Sequence, residues 1–159
     1  MHIKLIVSSL VLLAASSAFA AEPITGAFGI KFGESIDHLK IDRTLVNGVV
    51  HIVTPPKPLE SLRLYSVETA KGRKQVFRIT GQALTNNKIG CLGDLSSIMG
   101  ILEQKYGKFK NLDTIFLLKQ GDKSITASCT AEGGITDKRT YMIKITYEDL
   151  GLSGKSDAL

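Results

Sequence analysis

After residue 20 the chain has no apolar run approaching the ~20 residues that a membrane-spanning helix needs. It carries only two cysteines in 159 residues, which excludes a disulfide-dense miniprotein. Its acids do not outnumber its bases, with 15 Asp+Glu against 20 Lys+Arg, and its glycines follow no Gly-X-Y period. An acidic disordered chain and a collagen-like chain are therefore excluded as well. Catalytic signatures are equally scarce. There is no G-x-S-x-G, no H-E-x-x-H and no phosphate-binding glycine loop, because Gly26-Ala-Phe-Gly29 and Gly90-Cys-Leu-Gly93 match neither the P-loop nor the dinucleotide fingerprint. Beyond residue 20 there is no Ser-x-x-Lys. No repeat, low-complexity tract or long linker appears, and the length suits one domain, not two.

What is present starts with an address. Met1 to Ala20 has a basic start at Lys4, an apolar stretch through Leu13 and small residues ending Ala18-Phe19-Ala20. That is the order of a secretory signal peptide, so residues 1–20 are expected to be removed. Much of the positive mean hydropathy, +0.11, comes from this block. Removing it leaves 139 residues with 19 basic and 15 acidic side chains, a net charge of +4. Ala21 stands where a lipid-modified cysteine would. The expectation is a periplasmic or secreted protein with no membrane span after cleavage. Nucleic acid is an unsuitable partner for an exported chain; an acidic protein or an anionic envelope surface suits the charge better, and +4 also serves solubility alone.

Cys91 and Cys129 remain in the exported portion. An oxidising compartment makes one disulfide the simplest reading, since neither cysteine has the His or Cys neighbours of a metal site. No cofactor is implied. His38 and His51, with Glu34 and Asp37 nearby, could form a metal or acid–base pair, but their spacing matches no ligand pattern, and surface histidine is the plainer reading.

The elements follow from periodicity. Gly26–Gly33 reads as a short strand and Glu34–Leu39 as one helical turn. Asn47-Gly48 between Ile41–Val46 and Val49–Thr54 signals a two-residue hairpin turn. Pro55, Pro56 and Pro58 end that strand. Leu62–Thr69 and Gln75–Gly81 form a second hairpin around Gly72, with Tyr65, Val67, Phe77 and Ile79 expected in one core. Cys91–Tyr106 is the one long helix, its stripe of Leu92, Leu95, Ile98, Met99, Leu102 and Tyr106 covering about 120° of circumference. Thr114–Lys119, Lys123–Thr130 and Lys138–Glu148 form a meander, with turns at Gly121-Asp122 and Glu132-Gly133-Gly134. Gly151–Leu159 is expected to fray. The fold class is α+β: an antiparallel sheet of hairpins and a C-terminal three-strand meander, with one main helix packed on it, in a single domain over 21–150.

Two features suggest binding. Lys57, Arg63, Lys71, Arg73, Lys74 and Arg78 against Glu60 and Glu68 give residues 57–78 a charge of +4, equal to that of the whole exported portion. Lys71, Arg73 and Lys74 crowd one hairpin tip, either as a solvated turn or as a contact for an acidic partner. The back of the helix carries Gly93, Ser96, Ser97, Gly100 and Gln104, where an ordinary solvent face would carry Lys, Glu or Ala. Small uncharged residues admit another backbone, from this chain or from a partner; drift would also leave such a face.

Phe28-Gly29-Ile30-Lys31-Phe32-Gly33, of the form F-G-x-x-F-G, resembles the opening of many small exported envelope proteins of Gram-negative bacteria. Leu102-Glu103-Gln104-Lys105-Tyr106-Gly107 is similar to their helix ending in K-Y-G, and the stretches around Cys129 and Ile143–Asp149 resemble their close. Some members share a helix-on-antiparallel-sheet design with β-lactamase-inhibitor-like and outer-membrane assembly modules, which implies binding and not catalysis. The expected function is a soluble periplasmic protein-binding module: an inhibitor, immunity protein or assembly accessory. A small secreted hydrolase or effector with a dispersed site, and a lipid or peptide carrier, are the alternatives.

Overall fold

The computed structural model describes residues 20–133 and 140–153. The expected leader lies outside them except for Ala20, as do part of the expected turn after Glu132 and residues 154–159 of the expected tail.

The chain opens with a miniature hairpin, β1 (Gly26–Ala27) and β2 (Ile30–Lys31). Phe28 and Gly29 turn it with φ of 54° and 83°, so Gly26–Gly33 is not the single strand that its alternation suggested. A 3-10 turn, Ile36–His38, follows, capped by the Ser35 hydroxyl. Next come β3 (Lys40–Leu45), one turn of helix α1 (Val46–Val49) and β4 (Val50–Thr54). The hairpin expected around Asn47-Gly48 is present, but a helical turn makes the connection in place of a two-residue one. Then follow β5 (Leu64–Thr69), β6 (Val76–Thr85) and the helix α2 (Lys88–Tyr106). Asn87 caps α2 by accepting from Ile89 N at 2.9 Å, as an N-cap asparagine does. The remaining elements are β7 (Lys110–Leu112), β8 (Ile115–Gln120), β9 (Lys123–Glu132), β10 (Thr140–Asp149) and the short helix α3 (Leu150–Ser153).

The fold is α+β, but the hairpins and the meander are not separate. One antiparallel sheet of eight strands runs in the order β3-β4-β5-β6-β10-β9-β8-β7. The union is made by β6 against β10, registered from Arg78↔Glu148 to Thr85↔Tyr141. β6 extends to Thr85, four residues beyond its expected end at Gly81, which supplies the length for that pairing.

One face of the sheet is covered. α2 lays Cys91, Leu95, Ile98, Met99, Leu102 and Tyr106 onto it, over Ile125, Ala127, Ile143 and Ile145, which are almost wholly buried. Each such aliphatic side chain is worth ~1.5–3 kcal/mol. The expected stripe is corrected at its start: Leu92 is 47% exposed and Cys91 is fully buried in its place, because the disulfide draws Cys91 to the sheet. Cys91 and Cys129 are bonded, with Cα atoms 6.0 Å apart. Beyond α2 the cover is the N-terminal segment, with Ile24 and Ile30 buried, joined by buried Leu62 from the connection between β4 and β5. Phe28 meets Tyr65 and Tyr147 edge-on, with centroids 5.0 and 5.7 Å away. Tyr147 in turn meets Tyr106 of α2, so one ring touches both halves of the cover. Gly81 keeps this junction open, since a Cβ there would stand 2.7 Å from Leu62 and 3.0 Å from Phe28.

Phe77 does not join this core as expected. A register shift opposite Glu68/Thr69 sets Val76 across from Thr69. The extra residue turns Phe77 outward, half-exposed, and buries Val76, as a β-bulge does. Gly151–Ser153, expected to fray, belongs to α3; Leu150 N donates to Asp122 O at 2.7 Å and Leu152 N to Asp149 Oδ1 at 3.1 Å.

Candidate protein-binding surface

α2 is held along one side only. Around its axis, Ser96, Ile89, Gly100, Gly93, Gln104, Ser97, Gly90 and Ile101 fall between Glu103 and Asp94 in one uncharged arc of roughly 140°. Ile89 is 80% exposed and Ile101 58% exposed. A Cβ added at Gly93 or Gly100 would meet no atom within 4 Å. Among the described residues no other part of the chain packs against these two positions, which removes one of the three explanations for a small-residue face and leaves a partner or drift. The helix is consequently not amphipathic in the ordinary way, since apolar residues occupy its outer side as well as its inner one.

Ser96, Ser97 and Gly100 are all exposed on this side. Ser97 Oγ donates to Gly93 O at 3.1 Å, so its hydroxyl is turned back onto the helix. Ser96 and Gly100 line a groove of about 380 Å³ with Leu92, Leu95, Met99 and Phe116. Its lining is mainly apolar. It exists because α2 covers β6, β9 and β10 but stops short of β8, leaving Phe116 half-buried. Glu103 stands at the groove too, and its Oε1 accepts from Phe109 N at 3.2 Å. Sequence reading missed Ile89, Leu92 and Ile101 as exposed apolar residues. The signal available was the position of Ile89 and Ile101 on the same helical side as Gly93, Ser96 and Gly100, with Leu92 at its border.

The basic tip is less concentrated than its sequence. Gly72 takes φ +73°, and Arg73 N donates to Ala70 O at 2.9 Å to close the turn. Lys71 is exposed and Arg73 half-exposed, and neither has an ion-pair partner among the described residues. Lys74 turns away from them. Its Nζ donates to both carboxylate oxygens of Asp37 at 2.9 Å, while its carbonyl accepts from Ile36 N at 2.9 Å. Lys74 and the Ser35 hydroxyl, both hydrogen-bonded to Asp37, hold its carboxyl below the ordinary value. Arg78 is also committed: on the open face of the sheet it bonds Glu68 at 2.6 Å and Glu148 at 2.5 Å.

The histidines do not share a site. His38 is exposed at the end of the 3-10 turn. His51 is 4% exposed on the covered face of β4, with Nδ1 3.0 Å from Thr44 Oγ1 and Nε2 buried without a partner. Among the described residues no group of three or more His, Cys, Asp or Glu is arranged to hold a metal ion, and no helix is long and apolar enough to cross a membrane. A second, open concavity of about 350 Å³ lies on the uncovered sheet face between Leu64, Leu84 and Met142.

Comparison with protein-family models, curated proteins and solved structures finds no significant match to this chain. The surface must therefore be read from its own chemistry.

Proposed function

We propose that this chain is a soluble periplasmic or secreted protein-binding module, an inhibitor, immunity protein or envelope assembly accessory, that seats its partner on the outer side of α2. The observation that carries the reading is the uncharged outer arc of α2, with Ile89 80% and Ile101 58% exposed and Gly93 and Gly100 open to any approaching backbone. Ile89 and its i+3 neighbour Leu92, 47% exposed, form a local apolar patch of the kind that marks interaction sites, and mid-helix glycine costs ~1 kcal/mol relative to alanine, a cost that a close-packed partner would offset. Lys71 and Arg73 are available to an acidic partner as a secondary contact. The disulfide fits an oxidising compartment, and the resemblance to small exported envelope proteins points the same way.

The test is affinity capture of the exported form from an envelope extract, comparing wild type with Gly100→Arg and Ile101→Arg. The expected result is a protein retained by wild type and lost by both variants, whose circular-dichroism melts stay unchanged. Retention equal in all three, or nothing retained above a reduced control, rejects the reading.

A further inference from the structure

The groove beside α2 lies over β8, one strand in from the end of the sheet. β7 is the last strand of the sheet, so among the described residues one of its edges has no strand neighbour. Phe116, in the groove, is the register partner of Asn111 on β7. Glu103, also in the groove, receives a hydrogen bond from Phe109, the residue before Lys110. Asn111 faces the same side of the sheet as Phe116, yet it is exposed, so among the described residues nothing covers that side of β7.

The opposite edge is built differently. β3 carries Lys40, Asp42 and Arg43 and has a register shift between Ile41 and Arg43. Charge and a bulge are the usual devices that prevent a further strand from adding. β7 is only three residues long and carries Lys110, milder forms of the same devices, but it has no acid and no bulge and pairs regularly with β8 through all three residues. Lys110 pairs with Leu117 and so faces the side away from the groove.

We propose that an extended segment of a partner protein adds to β7 as a ninth strand, with apolar side chains in the α2–β8 groove and acidic side chains beside Lys110. The proposal rests on the protein-binding reading and names the chemistry of the partner. Each feature selects one property. Unpaired edge peptides take main-chain hydrogen bonds from an extended chain, and side-chain pockets then read every second residue. The apolar groove takes the inward set. Lys110, with exposed Lys108 just before the strand, takes an acidic outward set. Successive strand residues alternate faces, so the partner segment alternates apolar and acidic residues. A docked helix would fill the groove but leave the β7 edge unpaired.

The full exported chain, isotopically labelled for nuclear magnetic resonance, is titrated with a short capped peptide alternating valine and glutamate. A peptide alternating valine and lysine is the control. The expected result is amide shifts at Lys110–Leu112, Met99 and Phe116, and affinity at least tenfold above the control. Ser96→Glu, a change at an exposed helix position lining the groove, should weaken the glutamate peptide at least tenfold without altering the melt. Equal affinity for both peptides, shifts confined to other residues, or no binding overturns the proposal. Shifts at β7 that grow with protein concentration alone would assign the edge to a second copy and overturn it as well. A failed titration with successful capture on α2 removes only the strand partner; failed capture removes the broader reading.

Discussion

Arg78 and Glu148 face each other across β6 and β10, the one strand pair that joins the N-terminal and C-terminal halves of the sheet. Arg78 also reaches Glu68 on β5, so three adjacent strands are tied in one row on the uncovered face. Partial burial works against the guanidinium charge, but the two carboxylates outweigh it and hold its pKa above the ordinary value. Arg78→Ala leaves two carboxylates opposed without a cation. The expected loss is about 1–2 kcal/mol, less than for a fully buried pair because water screens this one. Urea denaturation measures it. A loss below a few tenths of a kcal/mol would mean that the row contributes nothing to joining the halves.

The Cys91–Cys129 bond closes a loop of 38 positions between the first turn of α2 and β9. Chain entropy alone gives about 4 kcal/mol for such a loop. Reduction, or Cys91→Ala with Cys129→Ala, should lower the melting temperature on the order of 15 °C. An unchanged melt under reductant would show that the unfolded chain is not constrained as this account requires.

Lys74 is drawn from the basic tip to Asp37, which anchors the 3-10 turn beside the second hairpin. Asp37 titrates below its ordinary 3.8. A carboxylate depressed in the folded state adds stability above its unfolded pKa and loses it as pH falls through the folded one. The contribution is therefore present at neutral pH and disappears below about pH 4. Carbon-detected titration should show the Asp37 midpoint rising toward 3.8 in Lys74→Ala. An unmoved midpoint would disprove the pairing in solution.

Tyr147 supplies the alkaline counterpart. Burial, and after it the neighbouring Tyr106 phenol, push its phenol far above the ordinary 10.0. A group raised on folding stabilises fully below its unfolded pKa, and that contribution is lost as pH climbs toward the folded one. Stability should therefore fall as pH rises past about 10, when the unfolded chain ionises this phenol and the folded chain does not. Tyr147→Phe should flatten that decline, seen as a smaller drop in melting temperature between neutral pH and about pH 11. Equal declines in both proteins would place the alkaline sensitivity elsewhere.

Local patterns in the sequence identify much of this fold. The alternation of Tyr65 and Val67, the face of β10 carrying Ile143, Ile145 and Tyr147, the stripe of α2 and the pairing of the two cysteines each follow from spacing or number. What escaped depends on tertiary context. Nothing near Arg78 says that Glu148, 70 residues away, is its register partner, so hairpins and meander read as separate pieces. Phe77 and Val76 exchange faces through a bulge that period-two counting cannot see. Phe28 at φ 54° is a turn position that a bulky residue rarely takes, held here by its packing on Tyr65 and Tyr147. The three residues of β7 are too few for a pattern. At the surface, the small residues of α2 were visible, but their apolar neighbours Ile89 and Ile101 gain meaning only once the inner side of the helix is known.

His51 shows how far a chemistry-bearing residue can lie from chemistry. Its ring is buried on the covered face of β4 with one nitrogen at Thr44 and the other without a partner. Thr69, two residues along β5 from His51's register partner Val67, has a buried hydroxyl oxygen in the same condition. An unmade buried hydrogen bond costs about 1–3 kcal/mol. An apolar replacement removes that cost and loses one bond to an exposed threonine. His51→Leu should therefore leave stability within about 1 kcal/mol of wild type and leave partner capture unchanged. A loss above about 2 kcal/mol would show that the free nitrogen is satisfied in solution, as by a buried water shared with Thr69, and that the histidine is retained for structure. Loss of capture at unchanged stability would return His51 to the list of functional residues.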